Sequence, residues 1–233
     1  MRSVVLNATA RCPRCSLTPR WCVCAAHADI HVPLELALLT HKREVHRPSS
    51  TGNLIARLFP AAQRHVWHPE QPLEPSHVVN GRRDVWVLHP NGLPPPTNVS
   101  PEDVQLVVLD GSWSESAGMA RTVSSWGRLV QLPLSGTGRF WLRAKQEGGR
   151  YSTAEALLFL LEFFRLDAQR DALCVQFELH VYANLRARGN TDLAAQFLQD
   201  SLIRTALPDF LAELQARRPH PASQECRAFG KNC

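Results

Sequence analysis

Short apolar runs alternate with polar segments along the first two thirds of the chain. Five of these runs are rich in Val, Leu and Trp and are bounded by turn-forming or polar residues, which predicts β-strands. The predicted strands are Leu34–Thr40, Arg64–His68, Asp84–His89, Val104–Leu109 and Leu129–Leu132. A helix is predicted over Asn53–Leu58, after a polar loop at His41–Ser50. Strands separated by short helices predict an α/β fold with a mostly parallel sheet.

The segment Asn91–Pro101 interrupts this alternation. It contains four prolines and one glycine. Proline cannot donate a backbone hydrogen bond, so we expect an irregular loop that passes over the surface or around a ligand.

The pattern becomes helical from Ser152 onward. Ser152 followed three residues later by Glu155 forms a capping-box signature, and the apolar positions continue to Leu166. Gly189 and Pro208 are expected to end helices further along the chain. The remaining predicted helices are Ala168–Arg188, Thr191–Leu207 and Asp209–Ala216, and the tail from Pro219 is predicted to be disordered.

Length and composition indicate one substantial core with a small appended module. The chain has 233 residues, of which 44% are hydrophobic, and carries a formal net charge of +5. This mild basic excess is compatible with a polyanionic partner. The longest apolar run, Ala156–Phe164, is interrupted by Glu162 and is shorter than the roughly 20 residues that a membrane span needs. The N-terminal segment lacks a secretory apolar core, so we expect a cytoplasmic location and no membrane.

Four of the seven cysteines crowd into the first 24 residues with the spacing C-x2-C-x6-C-x-C. Four thiolates on short loops can meet the tetrahedral demand of zinc at about 2.3 Å. The alternative is a set of reduced structural cysteines in a flexible arm. The four predicted zinc ligands are Cys12, Cys15, Cys22 and Cys24, with His27 as a spare ligand, whereas Cys174 is expected in the core.

Basic and aromatic residues surround this cysteine cluster. Arg11, Arg14, Arg20 and Trp21 would give a zinc-held knuckle a face suited to RNA.

Asp110 ends the apolar run Val104–Leu109 and precedes Gly111. It is therefore expected at the C-terminal edge of the sheet, where open α/β folds place their ligands. An Asp at a strand end is also a common N-cap of the following helix, and position alone leaves both interpretations open.

Five motifs in order make the chain resemble the DTW-domain family. The run Asp110-Gly111-Ser112-Trp113 resembles the family's D-x-T-W signature, with Ser in place of Thr. The cysteine cluster resembles its zinc knuckle, and the segment from His41 and Glu44 to Gly52 is similar to its H-x-x-E-x-x-R-x-T-N-T-G motif, with Ser49-Ser50 where Thr-Asn is usual. The L-R and S-T-x-E-A motifs are matched at Leu142-Arg143 and at 152–156.

The resemblance implies a tRNA-uridine aminocarboxypropyltransferase that uses S-adenosylmethionine as its donor. It also implies a SPOUT-like, knotted fold, with a knuckle at 1–28, a catalytic domain at 29–218 and a flexible tail at 219–233. The knot enters through the resemblance alone, because general topology argues against knots. The expected partner is tRNA, and a monomer is expected.

Site residues follow from the motifs and from the loops after successive strands. The expected catalytic residues are Asp110, Ser112 and Trp113, with Asp110 as the base for uridine N3 or as a partner of the sulfonium or a ribose hydroxyl. The residues expected to contact the donor are His89, Pro90, Leu109, Asp110, Gly111, Leu132, Leu142, Arg143, Ser152, Thr153 and Glu155. The residues expected to contact RNA are Arg14, Arg20, His41, Lys42, Arg43, Arg47 and Thr51.

Several of these residues also have plain structural interpretations. Glu155 fits a helix cap, Thr51 fits a helix start, Trp113 fits a core position, and Arg47 and Arg143 fit solvated surface charges. Two other functions compete with the transferase: a SPOUT-type RNA methyltransferase with a different donor pose, and a non-catalytic zinc-dependent RNA-binding protein. A serine hydrolase centred on Ser112 is set aside, because the second glycine of G-x-S-x-G is absent.

Overall fold

The computed structural model describes residues 10–71, 73–81, 83–133, 136–142 and 151–217. Its strands are β1 (Glu35–His41), β2 (Gln63–Trp67), β3 (Asp84–Leu93), β4 (Val104–Asp110) and β5 (Arg128–Val130). Its α-helices are α1 (Thr51–Leu58), α2 (Trp113–Val123), α3 (Thr153–Phe163), α4 (Asp167–Ala187), α5 (Thr191–Gln199), α6 (Ile203–Ala206) and α7 (Pro208–Ala216). Arg143 and the predicted tail at 219–233 lie outside the described residues.

The five strands form one sheet in the order β2-β1-β4-β3-β5, and every neighbouring pair is parallel. The central strand β4 is buried along its whole length. Its side chains alternate between two cores, with Leu106 and Val108 on one face and Val107 and Leu109 on the other. Burial on both faces explains why this strand is a nearly continuous apolar run. The predicted α/β fold with a parallel sheet is confirmed, and the knot stays a prediction.

Helices cover both faces of the sheet. The larger core joins β1 and β4 to α1, α3 and α4, and the smaller core joins the opposite face to α2 through Met119 and Val123. The predicted capping box of α3 is confirmed: the backbone N–H of Glu155 donates to Ser152 Oγ at 3.3 Å, and that of Ser152 donates to Glu155 Oε2 at 2.6 Å. Gly189 follows α4 with a positive φ of 79°, a conformation that glycine adopts without strain.

The predicted loop Asn91–Pro101 is wrong for its first three residues, because β3 continues to Leu93. Leu88 and Leu93 of β3 both pair with Val130 of β5, so the register of the two strands shifts between them. Pro90 lies within this irregularity, where its missing N–H breaks no regular ladder. Gly92 lies so close to β5 that an added Cβ would be 2.6 Å from the backbone of Val130. A glycine thus permits the close approach of the two strands after the proline.

The predicted helix Thr191–Leu207 is also wrong as a single element. The chain leaves α5 at Gln199 and turns at Ser201, whose hydroxyl donates to Glu178 Oε2 at 2.6 Å. The backbone N–H of Leu202 donates to the same oxygen at 2.7 Å. A buried carboxylate on α4 therefore holds the turn, and Pro208 begins α7 instead of only ending a helix.

The N-terminal knuckle packs into the larger core. Cys15, Leu17, Trp21 and Val23 are buried together with side chains of α1 and α4. Gln176 on α4 donates through Nε2 to the Ala26 carbonyl at 2.7 Å. The knuckle is consequently held against α1 and α4. In the described parts of the chain, no helix has the length and apolar character to cross a membrane.

Candidate functional site

Asp110 lies at the C-terminal end of the central strand, with its side chain buried at 4% exposure. Ser50 Oγ donates to its Oδ2 at 2.8 Å, while the Gly52 backbone N–H and Thr153 Oγ1 donate to its Oδ1 at 3.1 and 3.0 Å. Ser50 is the N-cap of α1, and Thr153 is the first residue of α3. The carboxylate therefore faces the N-terminal ends of two helices, where the helix dipoles favour negative charge.

Burial raises the pKa of Asp110 above its ordinary value, and the hydrogen bonds from Ser50, Thr153 and Gly52 oppose that rise. The interpretation of Asp110 as the N-cap of the next helix is wrong. Ser112 caps α2, because its Oγ accepts from the Glu115 backbone N–H at 3.4 Å.

Gly52 allows α1 to approach Asp110. A Cβ built on Gly52 would lie 2.3 Å from Cγ of Asp110, well inside van der Waals contact. The contact between helix and strand thus depends on the absence of a side chain at this position.

Glu115 is the second partner in the capping box of α2. Its Oε2 accepts from the Ser112 backbone N–H at 2.8 Å, and its Oε1 lies 3.3 Å from His41 Nδ1 and 3.5 Å from Arg43 Nη1. Burial acts against ionisation of Glu115, but its bonds to Ser112 and the charges of His41 and Arg43 outweigh it, and its pKa is lowered. This cluster fixes the end of β1 beside the start of α2.

An apolar cavity opens at the same sheet edge. Its two adjoining lobes have volumes of about 670 and 410 Å³ and share His89, Pro90, Trp113 and Tyr151. Most of the residues predicted to contact the donor line it: His89, Pro90, Leu109, Gly111, Leu132, Ser152 and Thr153. Trp113, predicted as catalytic, also lines both lobes. A volume of this size is typical of small-molecule sites.

A second cavity of about 440 Å³ lies beside the first and is lined mainly by polar and charged residues. Gly111 lines both this polar cavity and one lobe of the apolar cavity. The polar cavity is lined by Glu44, Arg47, Pro48, Ser49, Ser50, Thr51, Asp110, Gly111, Ser112, Phe140, Leu142 and Arg188. Of the predicted donor contacts, Leu142, Asp110 and Gly111 line this polar cavity, together with Arg47 and Thr51, which were predicted to contact RNA.

Glu155 lines neither cavity but binds a segment that lines the polar one. Beyond its helix cap, its Oε1 accepts from the backbone N–H groups of Arg139 and Phe140 at 2.6 and 3.1 Å. It therefore holds the segment that carries Phe140 and Leu142 into the polar cavity. Arg139 is itself fixed by an ion pair with Glu178 at 3.0 Å.

The residues predicted to contact RNA do not form one cluster. Arg47 pairs with Glu44, and Lys42 Nζ pairs with Glu70 at 2.7 Å. His41 is buried beside Glu115, so its side chain has little surface to offer to RNA. Arg14 and Arg20 lie on the knuckle, away from these pairs.

The four cysteines of the knuckle meet in one cluster whose sulfur atoms all lie within 4.8 Å of one another. Cys12 and Cys24 Sγ are 3.8 Å apart, and Cys15 and Cys22 Sγ are 3.7 Å apart. Four sulfurs bound to one zinc at about 2.3 Å would be separated by about 3.8 Å. The donor set and its spacing therefore suit a tetrahedral metal such as zinc.

The charges around the cluster also suit a metal. Burial raises the pKa of Cys15 and Cys24. Burial likewise acts to raise the pKa of Cys12, but backbone hydrogen bonds from Cys15 and Arg14 outweigh it and bring the pKa to about 6. A tetrathiolate zinc centre carries a net charge of about −2. Arg57 offers a nearby compensating charge. Burial lowers its pKa, and three of these cysteines oppose that shift.

Comparison with known proteins agrees with this arrangement. The DTW domain family matches residues 9–184, which is well over half of the chain.

The chain belongs to the DTW domain family.

No solved structure matches it. The family match includes the knuckle, the whole sheet, the residues around Asp110 and most of α4, and it ends just before Arg186 and Arg188.

The structure adds residues to the site of this DTW domain that the sequence interpretation missed. Ser50 directly precedes Thr51 and Gly52, and a Ser before a helix start is an N-cap signal. Glu115 was also missed: with Ser112, which was expected to be catalytic, it has the same S-x-x-E spacing as the capping box predicted at α3. Arg188 and Phe140 carry no local signal, because only the tertiary fold brings them to the polar cavity.

Replacing Gly52 with Ala tests the contact between Asp110 and α1. We expect a loss of at least about 2 kcal/mol in the free energy of unfolding, since the new Cβ must push the buried carboxylate aside. The control is Gly118→Ala on α2, where the nearest atom is 3.9 Å away and a small gain is expected. Urea unfolding of both variants measures this, and equal stabilities would contradict it.

Removing two cysteines tests the metal site. We expect purified protein to hold about one zinc per chain, and the variant Cys12→Ser with Cys15→Ser to hold none, because two thiolates cannot complete the site. Cys174→Ser on α4 is the control and should keep its zinc. Elemental analysis after mild purification decides the matter, and metal-free wild-type protein with a normal fold would refute the prediction.

Proposed function

We propose that this chain transfers the 3-amino-3-carboxypropyl group of S-adenosylmethionine to N3 of a uridine in tRNA, with release of methylthioadenosine. The observation that carries the proposal is the junction of an apolar and a polar cavity at Gly111, on the sheet edge where Asp110 ends β4. Membership of the DTW domain family supports a tRNA-modifying role.

The apolar cavity suits the adenosine part of the donor. Trp113 and Tyr151 supply ring faces, and Pro90 supplies a rigid wall that loses little conformational entropy on binding. S-adenosylmethionine supplies a sulfonium that activates three adjacent carbons, and its pose decides which carbon reacts. Side chains of this cavity would bury the methyl group and direct the aminocarboxypropyl chain toward Gly111.

The polar cavity suits the target nucleotide. Arg47 and Arg188 offer guanidinium groups for a phosphate or carboxylate, and Thr51 offers a hydroxyl for the base or ribose. Transfer forms a bond between N3 and the γ carbon, breaks the bond between that carbon and sulfur, and releases the N3 proton. Phe140 and Leu142 would shield the reacting atoms from water.

For Asp110, the contacts favour a positioning role over that of the general base. Asp110 lines the polar cavity, but its two oxygens already accept three hydrogen bonds and the residue is almost fully buried, so little of its acceptor capacity is left for the N3 proton. By binding Gly52 and Thr153, it would fix the first turn of α1, which borders the polar cavity, and that of α3, which borders the apolar cavity. Ser112 likewise serves as a helix cap, and it also lines the polar cavity.

The remaining assignments belong to the same proposal. Residues 1–28 would hold zinc, residues 29–218 would form the catalytic region, and the backbone would follow a SPOUT-like knotted path. The parallel sheet and the cavities at its C-terminal edge support an α/β fold of this general kind, whereas the knot rests on the family resemblance alone.

Product analysis tests the proposed reaction. Incubating the protein with S-adenosylmethionine and an unmodified tRNA transcript should release methylthioadenosine and add the aminocarboxypropyl mass to a uridine, as detected by mass spectrometry. Release of S-adenosylhomocysteine with a methylated nucleoside would instead identify a methyltransferase. If the protein binds tRNA but no donor, the non-catalytic RNA-binding alternative is correct.

Two substitutions of Asp110 separate positioning from base catalysis. In Asp110→Asn, the amide oxygen can accept from Gly52 and Thr153 while its NH2 donates to Ser50, so turnover should stay within roughly tenfold of wild type. In Asp110→Ala, all three donors lose their acceptor, and we expect a loss of about 3 kcal/mol in stability with weaker donor binding. A stable Asp110→Asn variant with turnover reduced by 10² or more would identify a general base.

A further inference from the structure

Two arginines contact the ring of Trp21 in the knuckle. Arg20 Cζ is 4.8 Å from the centre of the Trp21 ring, and Arg186 Cζ, at the end of α4, is 4.7 Å from it. Trp21 itself is buried at 6% exposure. These two cation–π contacts place positive charge where the knuckle meets α4.

Arg188 continues this line of charge toward the polar cavity. It follows α4 as the C-cap residue, is exposed, and donates through Nη1 to the Leu142 carbonyl at 2.9 Å. It lines the polar cavity together with Arg47. Asn184 on the last turns of α4 donates to the Pro48 carbonyl at 3.4 Å, so the helix end packs against the loop that borders this cavity.

Within the described part of the chain, no carboxylate pairs with Arg20, Arg186 or Arg188. Among the described carboxylates, none lies within 4.0 Å of a guanidinium nitrogen of Arg20, Arg186 or Arg188. Nε of Arg20 is buried and has no hydrogen-bond partner in the described part of the chain. By contrast, Lys42 and Arg47 are each paired with a glutamate. Neighbouring unpaired guanidinium groups repel one another, so an anion that bridges them lowers the electrostatic energy.

We infer that Arg20, Arg186 and Arg188 form a basic track that binds the phosphodiester backbone of the substrate RNA and leads it from the knuckle over the end of α4 into the polar cavity. This inference rests on the proposed function for the identity of the RNA. Guanidinium groups are well suited to this use, because they bind phosphate through two parallel hydrogen bonds. Arg186 and Arg188 lie beyond residue 184, where the family match ends.

The test measures binding of a fluorescently labelled, unmodified tRNA transcript by anisotropy over a series of salt concentrations. In the double variant Arg186→Ala with Arg188→Ala, affinity at low salt should fall roughly 10- to 100-fold, and the slope of log K against log salt should become shallower by about 1.5. The control Arg121→Ala with Arg204→Ala removes two exposed arginines from α2 and α6 and should behave like wild type.

Two further measurements exclude a merely structural effect. Zinc content should not change in the double variant, and Arg186→Lys with Arg188→Lys should restore the salt slope, because the slope depends on charge. The kinetic measurement uses Arg186→Ala alone, because Arg186 lines neither cavity. With saturating donor, KM for tRNA should rise in this variant while kcat stays near wild type, since Arg186 would contact the RNA equally in the ground and transition states.

The outcomes separate the track from the proposed function. Wild-type affinity and slope in the Arg186→Ala, Arg188→Ala variant overturn the track alone. A track that binds tRNA as expected, in a protein that releases no methylthioadenosine, overturns the proposed reaction alone. A wild-type protein without affinity for tRNA overturns both.

Discussion

One buried carboxyl group holds together three parts of this DTW domain. The Asp110 carboxylate ends the central strand and accepts hydrogen bonds from the first turns of α1 and α3, which come from segments about 60 residues before it and about 40 after it. A buried carboxylate is costly unless its lone pairs are satisfied, so these donors must arrive together for the fold to be stable. The close approach at Gly52 and the two helix starts are consequences of this one requirement.

The same convergence shapes the two cavities. Because the first turns of α1 and α3 bind the end of β4, their first residues line the cavities. Thr51 lines the polar cavity, and Thr153 lines the apolar cavity. Glu155 then extends the arrangement by holding the segment at Arg139 and Phe140. Polar and apolar surfaces thus meet at Gly111, which lines both cavities, and the proposed transfer depends on this junction.

Local signals in the sequence predicted much of this structure. Strands buried on both faces appear as apolar runs, the capping box of α3 depends on two residues three positions apart, and the cysteine spacing indicated a single cluster. The extension of β3 past Pro90 depends on a register shift against β5, and the turn at Ser201 depends on Glu178. Likewise, Ser50 meets Asp110, and Arg188 reaches the cavity, only through tertiary packing, which no window of neighbouring residues encodes.

The docking of the knuckle on α4 has a consequence for synthesis of the chain. Its backbone groups are bonded by side chains far along the sequence: Gln176 reaches Ala26, and Arg217 reaches the Cys22 carbonyl at 2.7 Å. A ribosome that adds about 5–20 residues per second therefore exposes the four cysteines for on the order of ten seconds or more before these partners exist. During that interval the nascent thiols must remain reduced, and early metal capture would order the knuckle before the surface that receives it has been made.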